Sequence, residues 1–484
     1  MARRTQTKLD RALRMLSDTL TEQYEQQSGI KREGDRIVIP AHMSYRDASD
    51  AILSHEAKME EEAQTYVEFD AHPNDALVAL VQSIRESFGQ LLGSEIDMGF
   101  FGKMPGKSVA IPINAKETMN VPIGYSEIPG IPVKLNIVPN YNESHPLGGS
   151  LSVVFSYLRK YETLVKAIEK NAKQWLVDHP LFKGKAIDSR FNFLDLSTFD
   201  RSRVVYGKNE RRQIEANILY PIQHTSDWLH YGNSLKRGVL LTGSYGTGKT
   251  LTARLIASEC EKNNWTFISV RPGDSIVTAL NFANRYAPAV VFFEDIDQET
   301  GSERTDLVNT VLNTMDGILS KDSKVMVIMT TNHPDKIQKG MLRTGRIDSM
   351  IEMGKLDAAS MTELVRVCAR DLEGNSMIDG DLDEEAIFEA GKDYVPAFVV
   401  EAATKAKAYA HSRNGSNGHL KISTEDVVEA MLELRPQWEM MTGGDERQPE
   451  NVDTSLRKLV TKEVNENIKA IKGQIEEIHS YHFG

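Results

Sequence analysis

Cysteine is nearly absent from this chain, which has 2, Cys260 and Cys368, among 484 residues. So few thiols exclude a disulfide framework, and neither stands in a Cys/His spacing that would hold a metal. Both fall inside helical patterns and are expected in a core. The 12 histidines are scattered, with no ligand spacing. Long hydrophobic runs are missing as well: nothing approaches the roughly 18 apolar residues that mark a membrane span. The first residues carry Arg3, Arg4, Lys8, Arg11 and Arg14 with no apolar run behind them, which excludes a secretory signal. Asp10, Asp18 and Glu22 then interrupt the basic pattern that a transit peptide needs, leaving an amphipathic helix able to dock on a partner. Without span or signal, a cytoplasmic location is the expectation. Positive charge is in deficit, 57 Lys and Arg against 69 Asp and Glu, for a net charge of −12. That balance disfavours a chain-wide nucleic-acid binder and leaves only a local basic loop open.

What is present is Gly243-Ser244-Tyr245-Gly246-Thr247-Gly248-Lys249-Thr250. The apolar run from Gly238 to Leu241 before it reads as a buried strand. The segment from Leu251 to Cys260 after it is periodic, with Leu251, Leu255 and Ile256 on one helical face. Strand, glycine-rich loop and helix form the geometry in which backbone N–H groups and a helix N-terminus surround a polyphosphate. Glycines serve where the backbone bends tightly against the phosphates. Lys249 would reach the β- and γ-phosphates, and the Thr250 hydroxyl would take a Mg²⁺ position. ATP and Mg²⁺ are the expected ligands.

The rest of the chain divides around that loop into an expected four parts. Residues 1–198 carry no nameable motif. They open with helical patterns over about 9–26, 44–67 and 74–92, then strand-like runs near 109–113, 133–138 and 151–157, and end in a helix over about 158–177. This predicts an α+β N-terminal domain. In residues 199–355, apolar strands at 239–241, 266–270, 290–293 and 325–330 alternate with helical stretches, one of them over 281–286. Such alternation predicts a parallel sheet with helices on both faces, the P-loop NTPase α/β class. Residues 356–435 read as helices only and form a helical lid, and 436–484 form a charged helical tail.

Chemistry-bearing residues gather at strand ends. The run Ala289-Val290-Val291-Phe292-Phe293-Glu294-Asp295 delivers two carboxylates to the C-terminal edge of the sheet, where metal and attacking water belong. Another strand ends in Thr330-Thr331-Asn332, whose amide can orient a water. Leu342-Arg343-Thr344-Gly345-Arg346-Ile347-Asp348 follows, with two arginines three apart.

The stretch from Asn313-Thr314-Met315-Asp316-Gly317 through Thr330-Thr331-Asn332-His333-Pro334-Asp335 to Arg343 and Arg346 resembles the second region of homology of AAA proteins. The approach Lys236-Arg237-Gly238-Val239-Leu240-Leu241 is similar to theirs as well, so that about 203–435 looks like an AAA+ ATPase of the AAA clade proper. The resemblance implies a ring, most simply a hexamer. It implies that Lys249 and Thr250 hold phosphate and Mg²⁺, and that Gly243, Ser244, Tyr245, Gly246, Thr247, Gly248 and Leu251 complete the loop. Asn332 matches the first sensor, and Tyr206-Gly207 falls near the adenine-contacting backbone. Arg343 and Arg346 match arginine fingers acting on a neighbour's nucleotide.

Three features depart from that pattern. The strand-end order is Glu294 then Asp295, where most of the family has Asp then Glu. An ungapped match gives Glu294 the metal side and Asp295 the base. The same order is found in the mitochondrial AAA translocase of the Rieske iron–sulfur protein and in related plant AAA proteins, to which Thr330-Thr331-Asn332-His333 is also similar. The segment after Val270 is short and holds Arg271-Pro272-Gly273-Asp274, without the pore tyrosine that grips a polypeptide. Tyr394-Val395-Pro396-Ala397 offers no second-sensor arginine, which the AAA clade proper lacks too. The leading expectation is a ring ATPase that remodels or moves a macromolecular partner, protein by preference. A nucleotide-gated scaffold with little hydrolysis and a DNA-acting motor are the alternatives.

Overall fold

A computed structural model describes residues 25–33, 36–94, 96–97, 103–104, 106–142, 145–296, 311, 314, 317–319, 322–333, 347–354, 356–371, 373–414 and 421–443. The chain divides into two compact units, one ending at Gly354 and one beginning at Lys355.

In the first unit, helix α1 (Tyr45–Met59) leads into strand β1 (Glu62–Phe69), and helix α2 (Pro73–Ser87) follows. Next come strands β2 (Leu92–Gly93), β3 (Ser108–Pro112), β4 (Thr118–Pro122), β5 (Gly124–Glu127), β6 (Val133–Tyr141) and β7 (Gly149–Leu158), then helix α3 (Glu162–Asp178). An antiparallel sheet of order β1-β7-β6-β5-β2 results, with β3 and β4 as a separate hairpin. Alternation decides its inner face. Val67 and Phe69 of β1, Leu135 and Ile137 of β6, and Val153 and Phe155 of β7 join Leu77, Leu80 and Ile84 of α2 and Leu164 and Ile168 of α3 in one core. The helix expected over 44–67 therefore stops at Met59. Glu62–Phe69 shows strict exposed/inward alternation and pairs along its whole length with β7. The helix expected over 74–92 ends at Ser87, and Leu158 belongs to β7 rather than to the helix after it.

The remainder of this unit is a six-stranded sheet built from β8 (Ala186–Asp188), β9 (Arg237–Thr242), β10 (Thr266–Val270), β11 (Ala289–Phe293), β12 (Val325–Thr331) and β13 (Ser349–Glu352). Its order is β8-β10-β11-β12-β9-β13, and every pairing is parallel. Strands buried on both faces read as continuous apolar runs. Thus Val291, Phe293, Val327 and Met329 enter one core, while Val290, Phe292, Met326 and Ile328 enter the other. Helices α4 (Lys208–Ile214), α5 (Lys249–Lys262) and α6 (Ile276–Arg285) connect the strands, so the helix expected over 281–286 begins five residues earlier. This is the P-loop α/β fold. Cys260 is fully buried in α5.

The two sheets of the first unit meet at a buried polar joint. Asp75, on the first turn of α2, accepts the Leu181 N–H at 2.8 Å on one oxygen and the Tyr286 hydroxyl at 2.6 Å on the other. Tyr286 caps the C-terminus of α6, and two residues separate it from the start of β11 at Ala289. Around it, His72 packs on Phe191 and Phe182, with ring centroids 4.3 and 5.2 Å away, and Phe191 packs on Phe282. Gly148, at φ 74, lets this cluster close, because a Cβ there would sit 2.5 Å from the Phe191 ring.

The second unit is helical: α7 (Ala358–Cys368), α8 (Glu384–Ala390), α9 (Pro396–Asn414) and α10 (Thr424–Gly443). Asp357 and Asp383 cap α7 and α8 by accepting backbone N–H groups. The Tyr394 hydroxyl donates to Met431 O at 2.8 Å, and the Arg435 guanidinium lies 4.7 Å from the same ring. Cys368 ends α7, half-buried. Among the described residues no helix is long and apolar enough to cross a membrane, and no group of three or more metal-ligating side chains assembles. The expected N-terminal helix over 9–26 lies outside the described residues apart from 25–26; of the expected tail over 436–484, residues 436–443 continue α10 and the rest lies outside the described residues.

Burial pushes the Asp75 carboxyl up to about 6 and the His72 imidazole down to about 3. A raised acid contributes stability that is complete below its unfolded value and is lost as pH rises through the folded one. For Asp75 that window runs from the ordinary carboxylate range to about pH 6. Asp75→Asn keeps an acceptor for Leu181 and offers a donor to the Tyr286 oxygen. Its melting temperature relative to the parent is therefore expected to rise between pH 4.5 and 7.5, by an amount equivalent to about 3 kcal/mol at most. His72 is present in both proteins and cancels in that difference. A difference independent of pH would show that Asp75 does not titrate as a buried acid.

Candidate nucleotide site

Between the end of β9 at Thr242 and the start of α5 at Lys249, the chain turns across the C-terminal edge of the parallel sheet. Gly246 and Gly248 take left-handed backbone, at φ 80 and 95. A Cβ on Gly248 would point into open space, so the loop is a cradle rather than a packed turn. Its other side is closely packed. A Cβ on Gly243 would lie 2.8 Å from Met353 O, and one on Gly354 would lie 2.4 Å from Thr247 Cγ2. The segment leaving β13 thus backs the loop. Ser244, Tyr245 and Gly246 are exposed, as is Thr250 on the first turn of α5, and Leu251 is half-buried.

Lys249 is buried, and its ammonium sits inside the loop. It donates to Gly243 O at 2.7 Å, to Ser244 O at 2.9 Å and to Asn332 Oδ1 at 2.7 Å. The Asn332 amide in turn donates to Asp295 Oδ1 at 3.2 Å. Thr330 supports the same residue from β12, its hydroxyl accepting the Asp295 N–H at 2.7 Å. Asp295 has φ 42, a left-handed backbone that a non-glycine residue holds only where its surroundings fix it. Loop lysine, strand-end amide and strand-end carboxylate therefore form one continuous chain of hydrogen bonds over the ends of β9, β12 and β11.

Glu294 stands beside that chain, half-buried. Burial and then the Asp295 charge push its carboxyl above the usual range, while Arg271 and Arg254 pull the other way. Tyr206 is buried with its hydroxyl 2.8 Å from Thr252 Oγ1, one helical turn beyond the loop, and Gly207 is buried next to it. The structure thus brings Lys249, Asn332, Asp295 and Glu294 to one sheet edge and sets Tyr206 against α5. Arg343 and Arg346 lie outside the described residues.

Sequence reasoning passed over three contributors. Thr330 holds Asp295 in place. Gly354 lets β13 back the loop. Glu210, buried in α4, accepts N–H groups from Gly207 and Gly354 at 3.2 and 3.1 Å. Glu210 had a signal, since Gly207 followed three residues later by Glu is the spacing of a helix-capping pair.

A glycine loop running from a parallel strand into a helix, with a buried lysine at its core, defines a P-loop nucleotide-binding domain. Residues 239–355 match the model of a family described as ATPase family associated with various cellular activities (AAA). Over these residues the chain is similar to an AAA ATPase domain.

Asp295 is bonded into the Lys249–Asn332 chain, which makes it the candidate base. Asp295→Asn is expected to keep nucleotide binding and to slow hydrolysis at least about 100-fold, the usual share of a general base. Glu294→Gln should weaken Mg²⁺ dependence instead. A dead Glu294→Gln beside a fully active Asp295→Asn, in a phosphate-release assay, would reverse the roles.

Proposed function

We propose that this chain is a ring-forming AAA+ ATPase, most simply a hexamer, that uses ATP hydrolysis to remodel or move a macromolecular partner, protein by preference. The observation that carries the reading is the hydrogen-bond chain from Lys249 through Asn332 to Asp295 beside an open glycine cradle. In this reading the loop N–H groups and the Lys249 ammonium bind the phosphates. The Thr250 hydroxyl and the Glu294 carboxylate, both hard oxygen donors at the loop's helix end and the neighbouring strand end, suit Mg²⁺. Bound there, the ion would neutralise charge developing on the phosphates. Asn332 orients the attacking water, and Asp295 accepts its proton. Asp is one methylene shorter than Glu, so the water is held at longer reach and turnover is slow for the family.

The Glu–Asp order is then the variant found in the Rieske-protein translocase and its plant relatives. Partner handling differs from that of a threading unfoldase. Asp274, in the turn after β10, accepts from the Ser189 hydroxyl and faces Arg190 at 3.6 Å, so the short turn that stands where a pore tyrosine would project is tied to the residues just after β8. A nucleotide-gated scaffold is the second reading, kept open by the Glu294-Asp295 order. A turnover assay separates the two. A DNA-acting motor is the weakest, given the net charge of −12.

Lys249→Ala removes a charge-assisted contact in a buried site and is expected to abolish ATP binding with the fold intact. Normal affinity, measured by calorimetry, would refute the site. A finger supplied by a neighbour is worth about 10³ to 10⁵ in rate, so specific activity should climb steeply with protein concentration. Mixing inactive Arg346→Ala with inactive Lys249→Ala should restore part of it, because a good finger can then meet a good loop. Concentration-independent activity in a monomeric sample, with no rescue on mixing, would remove the ring from the proposal.

A further inference from the structure

Glu210 is a buried carboxylate on the first turn of α4, with 5% of its surface exposed. One oxygen accepts the Gly207 N–H at 3.2 Å and the other accepts the Gly354 N–H at 3.1 Å. Its partners are 144 residues apart in the case of Gly354, so this is a tertiary clamp and not only a helix cap. Each partner touches one side of the candidate site. Gly207 follows Tyr206, whose hydroxyl is bonded to Thr252 of α5. Gly354 presses on Thr247 inside the phosphate loop, close enough that no side chain fits between them.

We infer that Glu210 is a positioning residue for nucleotide binding, its two oxygens tying the Gly207 backbone to the Gly354 backbone so that the base side and the phosphate side keep a fixed separation. The inference rests on the nucleotide-site reading above. A buried carboxylate bonded to two N–H groups needs its negative charge to accept both, and protonation leaves one of them poorly paired. Burial pushes this carboxyl up to about 7, the neighbouring Glu352 of β13 adding to the rise while the Gly354 and Gly207 N–H groups oppose it. The Tyr206 phenol is the other titratable group that faces it. Folded-state proton uptake therefore falls in the neutral range. The clamp is firm above that range and loosens below it.

The test compares parent and Glu210→Gln in steady-state ATP hydrolysis from pH 6 to 8, with Lys249→Ala as a control. Gln matches Glu in size but offers one acceptor and a donor, so one N–H loses its partner. The expected result is a KM for ATP raised about tenfold at pH 8 with kcat within about twofold, a split that marks lost ground-state binding. The ratio of the two KM values should shrink towards pH 6, where the parent clamp is protonated; titration of the nucleotide's own phosphates cancels in that ratio. Equal KM values at pH 8, or a ratio independent of pH, overturn the inference while leaving the nucleotide site standing. A parent that binds no ATP fails the site itself. If the variant does not fold, hydrogen exchange of the Gly207 and Gly354 amides in the parent, corrected for intrinsic rates, decides. Protection lost between pH 8 and 6 supports the clamp, and constant protection refutes it.

Discussion

A buried ammonium needs oxygens around it, and that requirement at Lys249 organises the ATPase sheet. Two loop carbonyls and the Asn332 side chain supply them. The loop must therefore curl under its own helix, and β12 must end in register with β9 so that Asn332 arrives opposite the lysine. The parallel pairing that runs from Arg237–Met326 to Thr242–Thr331 delivers this register. An unpaired charge at that depth would cost several kcal/mol or drive the lysine neutral. The same logic extends one step further, since the Asn332 amide, whose oxygen accepts from Lys249, donates an N–H to Asp295.

This view explains why the candidate site residues gather at strand ends. Interiors of β11 and β12 are wholly apolar, because both faces are covered. Polarity is allowed only where the sheet stops. Thr330 is the exception that proves useful: a buried hydroxyl on the next-to-last residue of β12, satisfied by the backbone of the residue it positions.

The parallel sheet was legible because burial on both faces writes long apolar runs, three of them followed by candidate site residues at Gly243–Thr250, Glu294-Asp295 and Asn332. The short edges were not. Ala186–Asp188 and Ser349–Glu352 hold three and four residues, too few for a period to show. Glu62–Phe69 was hidden differently, since its Glu, Ala and Gln residues favour helices and it follows a helix with only two residues between. Pairing with β7 overrode that local preference. At the site, the loop, both carboxylates and Asn332 stood out by spacing, and the structure gathers them at one edge. The Asp75–Tyr286 contact could not be anticipated, because it joins residues 211 apart that belong to no motif. Glu210 lay in between, visible as a cap and invisible as a clamp.

The polar joint at Asp75 also couples the two sheets of the first unit. Its two oxygens grip the chain entering the ATPase sheet and the end of α6, and an aromatic cluster fills the space around them. Residues 211 apart in the chain thus meet where α2 begins and α6 is capped, and the strand that follows Tyr286, β11, is the one that ends beside Glu294 and Asp295.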